Sequence, residues 1–380
     1  MIRLTKYQML LLFFFLPALF AADKPAWTID YKKFNLPKQE KPVEIGKESE
    51  YDQVYKIQFT PDNKVLISFW ERRPQTGLAK KDAPENSGTI FVVLLLSSET
   101  GELLKRIELP VMGETLWVHR FQYGSRIYPL SSGGYVGIIN RHLQVFDSSF
   151  NVIHDKILEK PKDVHYTLIA PLHGQFFSLE FWSDERITEI IDTKTFKTVE
   201  RFSGDNIITD IWEDQLIVGR YPKYPEAPRF FEKKIGASQW NDLGQAITTS
   251  AKAKFIYNGA IVITDAIEQK PYTKFWFKIE NGKKSDPITG FIEISKPSRN
   301  TPTIALEINF LSEFQRSLDM DGKYRIETYD LNTQKTLLAT KKYTYIVDYA
   351  ISPNGDSVAL IIKNKKIELY NVKPQNDKKK

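Results

Sequence analysis

The sequence predicts an all-β fold made of repeated antiparallel sheets, and three observations support this prediction. Short apolar runs alternate with tight turns along most of the chain, 13% of the residues are aromatic, and long stretches with a helical period are rare. The runs recur at intervals of about 40–50 residues, which is the period of propeller blades. We therefore expect a β-propeller of seven four-stranded blades, with six blades as the alternative.

The last unit, Val347–Val372, shows the repeat most clearly. It contains three β-runs with alternating apolar residues, separated by two tight turns. Weaker copies of this unit can be followed back to about residue 51. Each copy has the same order: strand a, a tight turn, strand b, a variable loop, strand c, a short turn and strand d.

The first three units follow this order throughout. The predicted strands of the first unit are Val54–Phe59, Val65–Trp70, Thr89–Leu96 and Leu103–Leu109. Those of the second are Arg126–Leu130, Tyr135–Asn140, His142–Phe146 and Asn151–Leu158. Those of the third are Tyr166–Leu172, Gln175–Phe181, Arg186–Asp192 and Lys197–Phe202. Turn residues such as Pro-Asp and Gly-Gly separate strands a and b.

The later units are less regular. The fourth begins with Ile207–Trp212 and Gln215–Gly219 and becomes irregular up to Leu243. The fifth has strands at Lys254–Tyr257, Ala260–Asp265 and Tyr272–Ile279, with an Asn-Gly hairpin signal between the first two. The sixth is recognisable only at Tyr324–Tyr329 and Lys335–Thr340.

The last unit lacks a strand d, and the sequence offers two segments that could supply it from the N-terminal side. A propeller whose last sheet takes a strand from the other end of the chain leaves no open edge between its ends. We expect Pro42–Ile45 to be this closing strand, with Ala26–Tyr31 as the alternative.

The first 22 residues have the pattern of a secretory signal peptide. Arg3 and Lys6 form a basic start, and the apolar block Met9–Phe20 is too short to span a bilayer comfortably. An uncleaved membrane anchor is the alternative. We divide the chain into a signal peptide (1–22), an extended lead-in that includes the closing strand (23–50), the propeller (51–372) and a Lys-rich disordered tail (373–380).

The cysteine content and the net charge limit which compartments and which classes of partner are expected. The chain has no cysteine, which excludes disulfides, thiol catalysis and cysteine-ligated zinc and favours a bacterial periplasm or exterior for an exported protein. Of the net charge of +6, the signal contributes two and the tail three, which leaves about +1 for residues 23–372. This balance does not indicate a nucleic-acid partner.

Two blades resemble a known superfamily. Ala350–Leu360 followed by Lys366–Tyr370, and also Gln58–Leu66, are similar to blades of the tryptophan–aspartate-repeat (WD40-like) and YVTN-type propellers. The Gly-His and Trp-Asp hallmarks of the eukaryotic repeats are missing, so the resemblance indicates a divergent bacterial branch. It implies a binding platform, since enzymes are a minority among such propellers.

Candidate binding residues fall on the face that carries the b–c and d–a loops. These loops vary widely in length, whereas the a–b and c–d turns are short, and long loops on a rigid scaffold often carry function. Aromatic and arginine side chains are typical anchors of protein interfaces. The candidates are Arg72, Arg73, Trp117, His119, Arg120, Trp182, Asp184, Glu185, Arg186, Tyr221, Tyr224 and Arg229.

The sequence contains no convincing catalytic or metal-binding motif. The five histidines lack a paired spacing, no glycine-rich phosphate loop opens a helix, and adjacent Asp184 and Glu185 are expected to point apart. Gly355-Asp-Ser357 is explained by a hairpin turn. We therefore predict no catalytic residue, metal or cofactor. We expect a monomer that binds a protein or peptide. It would contact a membrane only if the signal segment is not cleaved. The alternatives are a lactonase-like hydrolase with its site at the channel mouth, and a structural subunit of an envelope complex.

Overall fold

The structure, a computed structural model, describes most of the predicted repeats. The described residues are 23–30, 56–72, 89–110, 126–139, 142–158, 165–169, 174–182, 185–221, 226–249, 251–266, 275–279, 291–309, 324–362 and 366–372. They form an all-β propeller, which confirms the predicted fold class. The one helical segment among them is a 3-10 turn at Tyr257–Gly259. None of the described residues belongs to a helix with the length and apolar character needed to cross a membrane.

The first three sheets each contain four antiparallel strands in chain order. Sheet 1 consists of β2 (Lys56–Phe59), β3 (Val65–Arg72), β4 (Thr89–Leu96) and β5 (Leu103–Pro110). Sheet 2 consists of β6 (Arg126–Pro129), β7 (Tyr135–Ile139), β8 (His142–Phe146) and β9 (Val152–Ile157). Sheet 3 consists of β10 (His165–Ile169), β11 (Phe176–Trp182), β12 (Arg186–Asp192) and β13 (Thr198–Ser203).

Three further sheets follow along the chain. Sheet 4 consists of β14 (Asn206–Trp212), β15 (Gln215–Arg220), β16 (Arg229–Lys234) and β17 (Trp240–Gln245). Sheet 5 has three described strands, β18 (Lys252–Phe255), β19 (Ile261–Ala266) and β20 (Phe275–Ile279). Sheet 6 consists of β21 (Phe291–Pro297), β22 (Thr303–Asn309), β23 (Tyr324–Asp330) and β24 (Lys335–Ala339).

Sheet 7 combines strands from both ends of the described chain. Its order is β1 (Trp27–Asp30), β27 (Lys366–Asn371), β26 (Ser357–Ile362) and β25 (Ile346–Ile351). Trp27 lies opposite Leu369 and Ile29 opposite Ile367, and the Trp27 Nε1 donates to the Ser98 carbonyl oxygen at 2.8 Å. The paired strand lies within the alternative segment Ala26–Tyr31, whereas Pro42–Ile45 lies outside the described residues.

The expectation of seven four-stranded blades is met only in part. Six sheets have four strands, while sheet 5 has three among the described residues. Two regions that looked irregular in the sequence form regular strands, β16 and β17 in sheet 4 and β21 and β22 in sheet 6. The predicted Asn258-Gly259 hairpin is confirmed, because these residues connect the antiparallel strands β18 and β19 and both have a positive φ, although β18 ends at Phe255 and not at Tyr257.

The hydrophobic core is divided into clusters between sheets that follow one another along the chain. The described residues form seven such clusters; Val136 and Leu168, for example, join sheets 2 and 3, and Phe230 and Phe255 join sheets 4 and 5. The cluster that contains Ile57 also contains residues of β1, β26 and β27, so sheet 7 packs against sheet 1. Face-to-face burial of apolar side chains therefore links successive sheets around the molecule.

The two edge strands of a sheet differ in how deeply their side chains are buried. In β2 and β6, buried residues alternate with half-buried ones, as expected when one face packs against a neighbouring sheet and the other faces a water-accessible space. The outer strand β9 is exposed along almost its whole length. The inner strand is the first strand of sheets 1 to 6 and β25 in sheet 7, and these strands together surround the centre of the propeller.

Candidate functional site

The centre of the propeller is a channel of about 490 Å³. Its wall contains residues from the inner strand of every sheet, namely β2, β6, β10, β14, β18, β21 and β25. A cavity of this size is in the range of small-molecule sites, which is about 300–1,000 Å³. The channel therefore provides one candidate site at the axis of the fold.

The described wall of this channel is strongly cationic. It carries five positive side chains and two carboxylates, a surplus of three positive charges at neutral pH when each group carries its usual charge. The positive groups are Lys56, Arg126, Lys254, Lys296 and Arg299, and the carboxylates are Asp210 and Asp348. Of the twelve residues proposed from the sequence as binding residues, the six that the structure describes all lie outside this wall.

Asp348 joins sheets 6, 7 and 1. One carboxylate oxygen accepts from the backbone N–H of Ile57 at 3.0 Å, and the other accepts from the Lys296 ammonium at 2.6 Å. Burial opposes the ionised form, but the charges of Lys296 and Lys56 outweigh it and lower the pKa of Asp348. The carboxylate thus stays charged inside the propeller.

Asp210 makes the equivalent contact between sheets 4 and 5. Its carboxylate accepts from the backbone N–H of Phe255 at 2.8 Å and from that of Ile211 at 2.9 Å. Burial dominates here and raises the pKa of Asp210 to about 6, although the charge of Lys254 acts in the opposite direction. Both aspartates sit where the pairing of the first two strands shifts register, which turns one extra residue out of the regular ladder.

Two arginines of the wall retain unused donors. Arg299 donates from Nη2 to the Pro129 carbonyl oxygen at 3.3 Å, while its buried Nη1 has no hydrogen-bond partner. Arg126 donates from Nη1 to the Tyr128 hydroxyl at 3.3 Å, and its buried Nε also has no partner. Arg299 follows the end of β21, so its contact with Pro129 brings sheets 6 and 2 together at the channel.

Half of the residues predicted for the loop-rich face lie outside the described residues. These six are Arg73, Trp117, His119, Arg120, Asp184 and Tyr224. Arg72 and Trp182 are the last residues of β3 and β11, strands that end on that face. Glu185 directly precedes β12 on the same face, and its side chain is exposed.

The structure does bring Arg186 and Tyr221 close to the same buried carboxylate. The Arg186 Nε donates to Glu180 at 2.8 Å, and the Glu180 side chain is only 5% exposed. Burial raises the pKa of Tyr221. The charge of Arg186 has a smaller, lowering effect on this pKa, and the charge of Glu180 raises it. The Tyr221 ring also packs edge-on against Phe230. Arg186 thus forms an ion pair within sheet 3 and Tyr221 packs within sheet 4, so neither is simply a free surface residue.

Arg229 belongs to a surface cluster that we call the arginine–aromatic patch, formed by Arg220, Arg229, Phe231 and Trp240. The Arg220 guanidinium lies 4.9 Å from the centre of the Phe231 ring, and that of Arg229 lies 6.0 Å from it. The Trp240 ring meets Phe231 edge-on at 5.8 Å. Cations over aromatic rings attract the ring electrons, so these contacts hold the arginines in defined positions.

The patch is anchored on one side and exposed on the other. Arg229 forms a two-point ion pair with Asp242, and both side chains are about half exposed. Beneath them, buried Lys233 bonds to Glu200 of sheet 3 at 2.5 Å and lies over the Trp240 ring. Arg220 and Arg229 flank the b–c connection of sheet 4, so these two arginines lie at the loop-rich face, and the patch extends from there along β16 to Trp240.

The motifs considered for catalysis have structural roles. Gly355 has a φ of 70°, and Ser352 Oγ bonds to Asp356 at 2.6 Å and accepts from the Ser357 N–H, so this segment is a hairpin turn. His142 contacts Asp155 at 2.9 Å. No group of three or more His, Cys, Asp or Glu side chains suited to a metal occurs among the described residues.

Solved structures of other proteins share this fold. The crystal structure of the RRP9 WD40 repeats matches with a TM-score of 0.50 and 10% identity, over 85% of this chain and 96% of that one. The structure of U3-55K matches with a TM-score of 0.50 and 11% identity, over 84% and 96%. No family model matches the sequence, and no curated protein matches it. The chain is therefore a propeller similar in fold to WD40-repeat propellers.

Proposed function

We propose that this protein is a divergent bacterial propeller, exported to the periplasm or exterior, that binds a protein or peptide through its loop-rich face. Its export is supported by the signal-like segment 1–22 and by the absence of cysteine. Its role as a scaffold is supported by the likeness in fold to WD40-repeat propellers.

The arginine–aromatic patch carries this proposal. Arginine and large aromatic side chains dominate the binding energy of protein interfaces, since they combine a wide contact area with directional hydrogen bonds. In this patch the Phe231 ring lies beneath two guanidinium groups and against Trp240, so the side chains are ordered before a partner arrives. Pre-ordered side chains lose less conformational entropy on binding.

The geometry of the patch also indicates the chemistry of the partner. Arg229 is neutralised by Asp242, whereas Arg220 bonds to the neutral Asn206 side chain at 3.3 Å and keeps its positive charge. A carboxylate of a partner would therefore find its counter-charge at Arg220, beside the half-buried face of Phe231. We expect a partner segment with an acidic residue next to an apolar or aromatic one.

The experiment uses the tagged protein expressed in its own host. The protein is recovered from the envelope fraction, its mass is compared with that of the chain without residues 1–22, and bound proteins are captured after cross-linking. The double variant Arg220→Ala/Arg229→Ala is expected to capture at least about tenfold less partner than the unmodified protein, as for residues at the centre of an interface. Both arginines are exposed, so the change in unfolding free energy is expected to stay below about 1 kcal/mol.

The matched control is Arg106→Ala, which removes an arginine of another ion pair, with Glu108, on sheet 1. It should capture as much partner as the unmodified protein. Equal capture by the double variant would contradict the proposed surface, and a chain confined to the cytoplasm with residues 1–22 intact would contradict export. Arg186→Ala is unsuitable here, because it removes a donor from buried Glu180 and changes stability as well.

A further inference from the structure

The charge of the channel wall exceeds what its own carboxylates neutralise. Asp348 already accepts from Lys296 and from a backbone N–H, and Asp210 accepts from two backbone N–H groups beside Lys254. Each carboxylate is therefore committed to the joint between two sheets. Arg126 and Arg299 remain as the cations whose described hydrogen bonds go to neutral groups, the Tyr128 hydroxyl and the Pro129 carbonyl, although the charge of Asp348 also acts on Arg126.

The two arginines also present donors without acceptors. The Nη1 of Arg299 and the Nε of Arg126 are shielded from solvent and make no hydrogen bond. Buried polar hydrogens in folded proteins are nearly always paired, so an unpaired donor in the wall of a cavity is available to an acceptor that enters the cavity. Guanidinium groups match the planar or forked oxygens of carboxylates and phosphates.

We propose that the central channel binds a small multivalent anion that carries phosphate or carboxylate groups, with Arg126 and Arg299 as its main contacts. Lys56 and Lys254 supply further positive charge from sheets 1 and 5. The volume of about 490 Å³ admits an organic anion larger than a single phosphate group. This site is separate from the arginine–aromatic patch and does not depend on the proposed partner surface.

The protonation behaviour of the wall agrees with an anion site. Burial lowers the pKa of Lys254 and of Lys56; the charges of Asp210 and Asp348, respectively, act against it without offsetting it, and neighbouring cations lower both values further. Burial also lowers the pKa of Arg299 to about 10. Arg126 differs from these three cations, because Tyr128 and Asp348 raise its pKa. For Lys56, Lys254 and Arg299 the burial cost exceeds the nearby negative charge, and a bound anion would favour their charged forms.

The test is a calorimetric titration of the whole chain with two probes, pyrophosphate and citrate, at low salt. We expect at least one probe to bind with a Kd below about 1 mM. If both probes bind, the channel accepts phosphate and carboxylate groups alike. If only pyrophosphate binds, the natural ligand carries phosphate groups, and if only citrate binds, it carries carboxylate groups. Failure of both probes to bind the folded protein would overturn the proposal.

Variants then locate the binding. Arg126→Gln and Arg299→Gln should each weaken the binding of the active probe at least about tenfold, as expected for loss of a charged hydrogen bond. The control Arg229→Gln removes an arginine outside the channel and should leave the Kd unchanged. Unchanged affinity in a folded channel variant would place the anion elsewhere and overturn the assignment.

A second measurement needs no variant. Reductive methylation of the unmodified protein, mapped by mass spectrometry with and without the active probe, should show protection of the channel lysines Lys56 and Lys296. Lys194, which is exposed in the c–d turn of sheet 3, serves as the control and should react equally in both samples. Equal modification of the channel lysines in both samples would contradict binding inside the channel.

Discussion

At the scale of single residues, two aspartates in equivalent positions have opposite protonation behaviour. Asp210 and Asp348 both occupy a register shift of an inner strand and both accept from a backbone N–H of the next sheet. They differ in the number of nearby cations, since Asp348 has Lys296 and Lys56, whereas Asp210 has Lys254 alone. One ammonium group does not offset the burial of Asp210, so its pKa rises instead of falling.

This difference predicts a pH effect that is specific to Asp210. Its pKa of about 6 in the folded protein exceeds the ordinary value of 3.8, so the folded state binds the proton more tightly. Relative to Asp210→Asn, the unmodified protein should gain stability as the pH falls from 7 to 4. The gain is up to about 3 kcal/mol, from about 1.4 kcal/mol for each pKa unit. Urea unfolding of both proteins at pH 4.5 and 7 measures it; parallel changes in the two proteins would refute the assignment.

The residues of the channel could not be identified from the sequence. Lys56-x-Gln58 and Arg126-x-Tyr128 show the same alternation, with buried residues between them, but alternation alone does not distinguish a surface from the wall of a channel. Arg299 lies after a strand that the sequence did not reveal, and its contact with Pro129 joins residues 170 positions apart. Such a convergence depends on how seven inner strands are arranged in space.

At the scale of strands and turns, the sequence was most informative where turn chemistry is strict. The Thr60–Lys64, Leu130–Gly134 and Ser352–Ser357 turns were recognised from Pro, Gly and Asn, and each contains a residue with positive φ in the structure. The strands β16, β17, β21 and β22 were missed. Charged residues and a β-bulge interrupt their apolar alternation, so pairing with neighbouring strands, and not local propensity, determines them.

Two glycines in equivalent turns give a matched test of these turns. A Cβ on Gly355 would lie 2.5 Å from Thr301 Oγ1 and 3.0 Å from Thr303, whereas one on Gly133 would meet nothing within 4 Å. Both have positive φ, so each change to Ala should cost about 1–2 kcal/mol of unfolding free energy. Gly355→Ala should cost about 1–3 kcal/mol more, because of the steric clash with sheet 6. Chemical denaturation of both variants measures this difference, and equal losses would contradict the close contact between the turn and sheet 6.

At the scale of the whole molecule, the strand from the N-terminal side links the two ends of the fold. β1 pairs with β27, and Ile29 lies in the same cluster as Ile57 of sheet 1 and Ile361 of sheet 7. The sequence predicted that such a strand exists, because the last unit lacks a strand d. It favoured Pro42–Ile45, whereas the observed strand lies within the alternative segment Ala26–Tyr31, because the contacts of Trp27 and Ile29 that hold it cannot be read from the sequence.

The contribution of β1 can be measured with one substitution. Ile29→Ala removes a buried side chain that is 5% exposed and should lower the unfolding free energy by about 2–5 kcal/mol. The control Ile153→Ala changes a 56% exposed residue on β9 and should have an effect within about 0.5 kcal/mol. Similar small effects of both changes would show that β1 adds little to the stability of the fold.

The position of the last strand determines how the protein can be attached to a support. The Val372 N–H donates to the Asp356 carbonyl oxygen, which belongs to the short turn between β25 and β26. The backbone therefore leaves the fold on the side opposite to Arg220 and Arg229. A bead or sensor chip coupled through the residues after Val372 would leave Arg220 and Arg229 facing the solution, which is the orientation that surface-based partner screening requires.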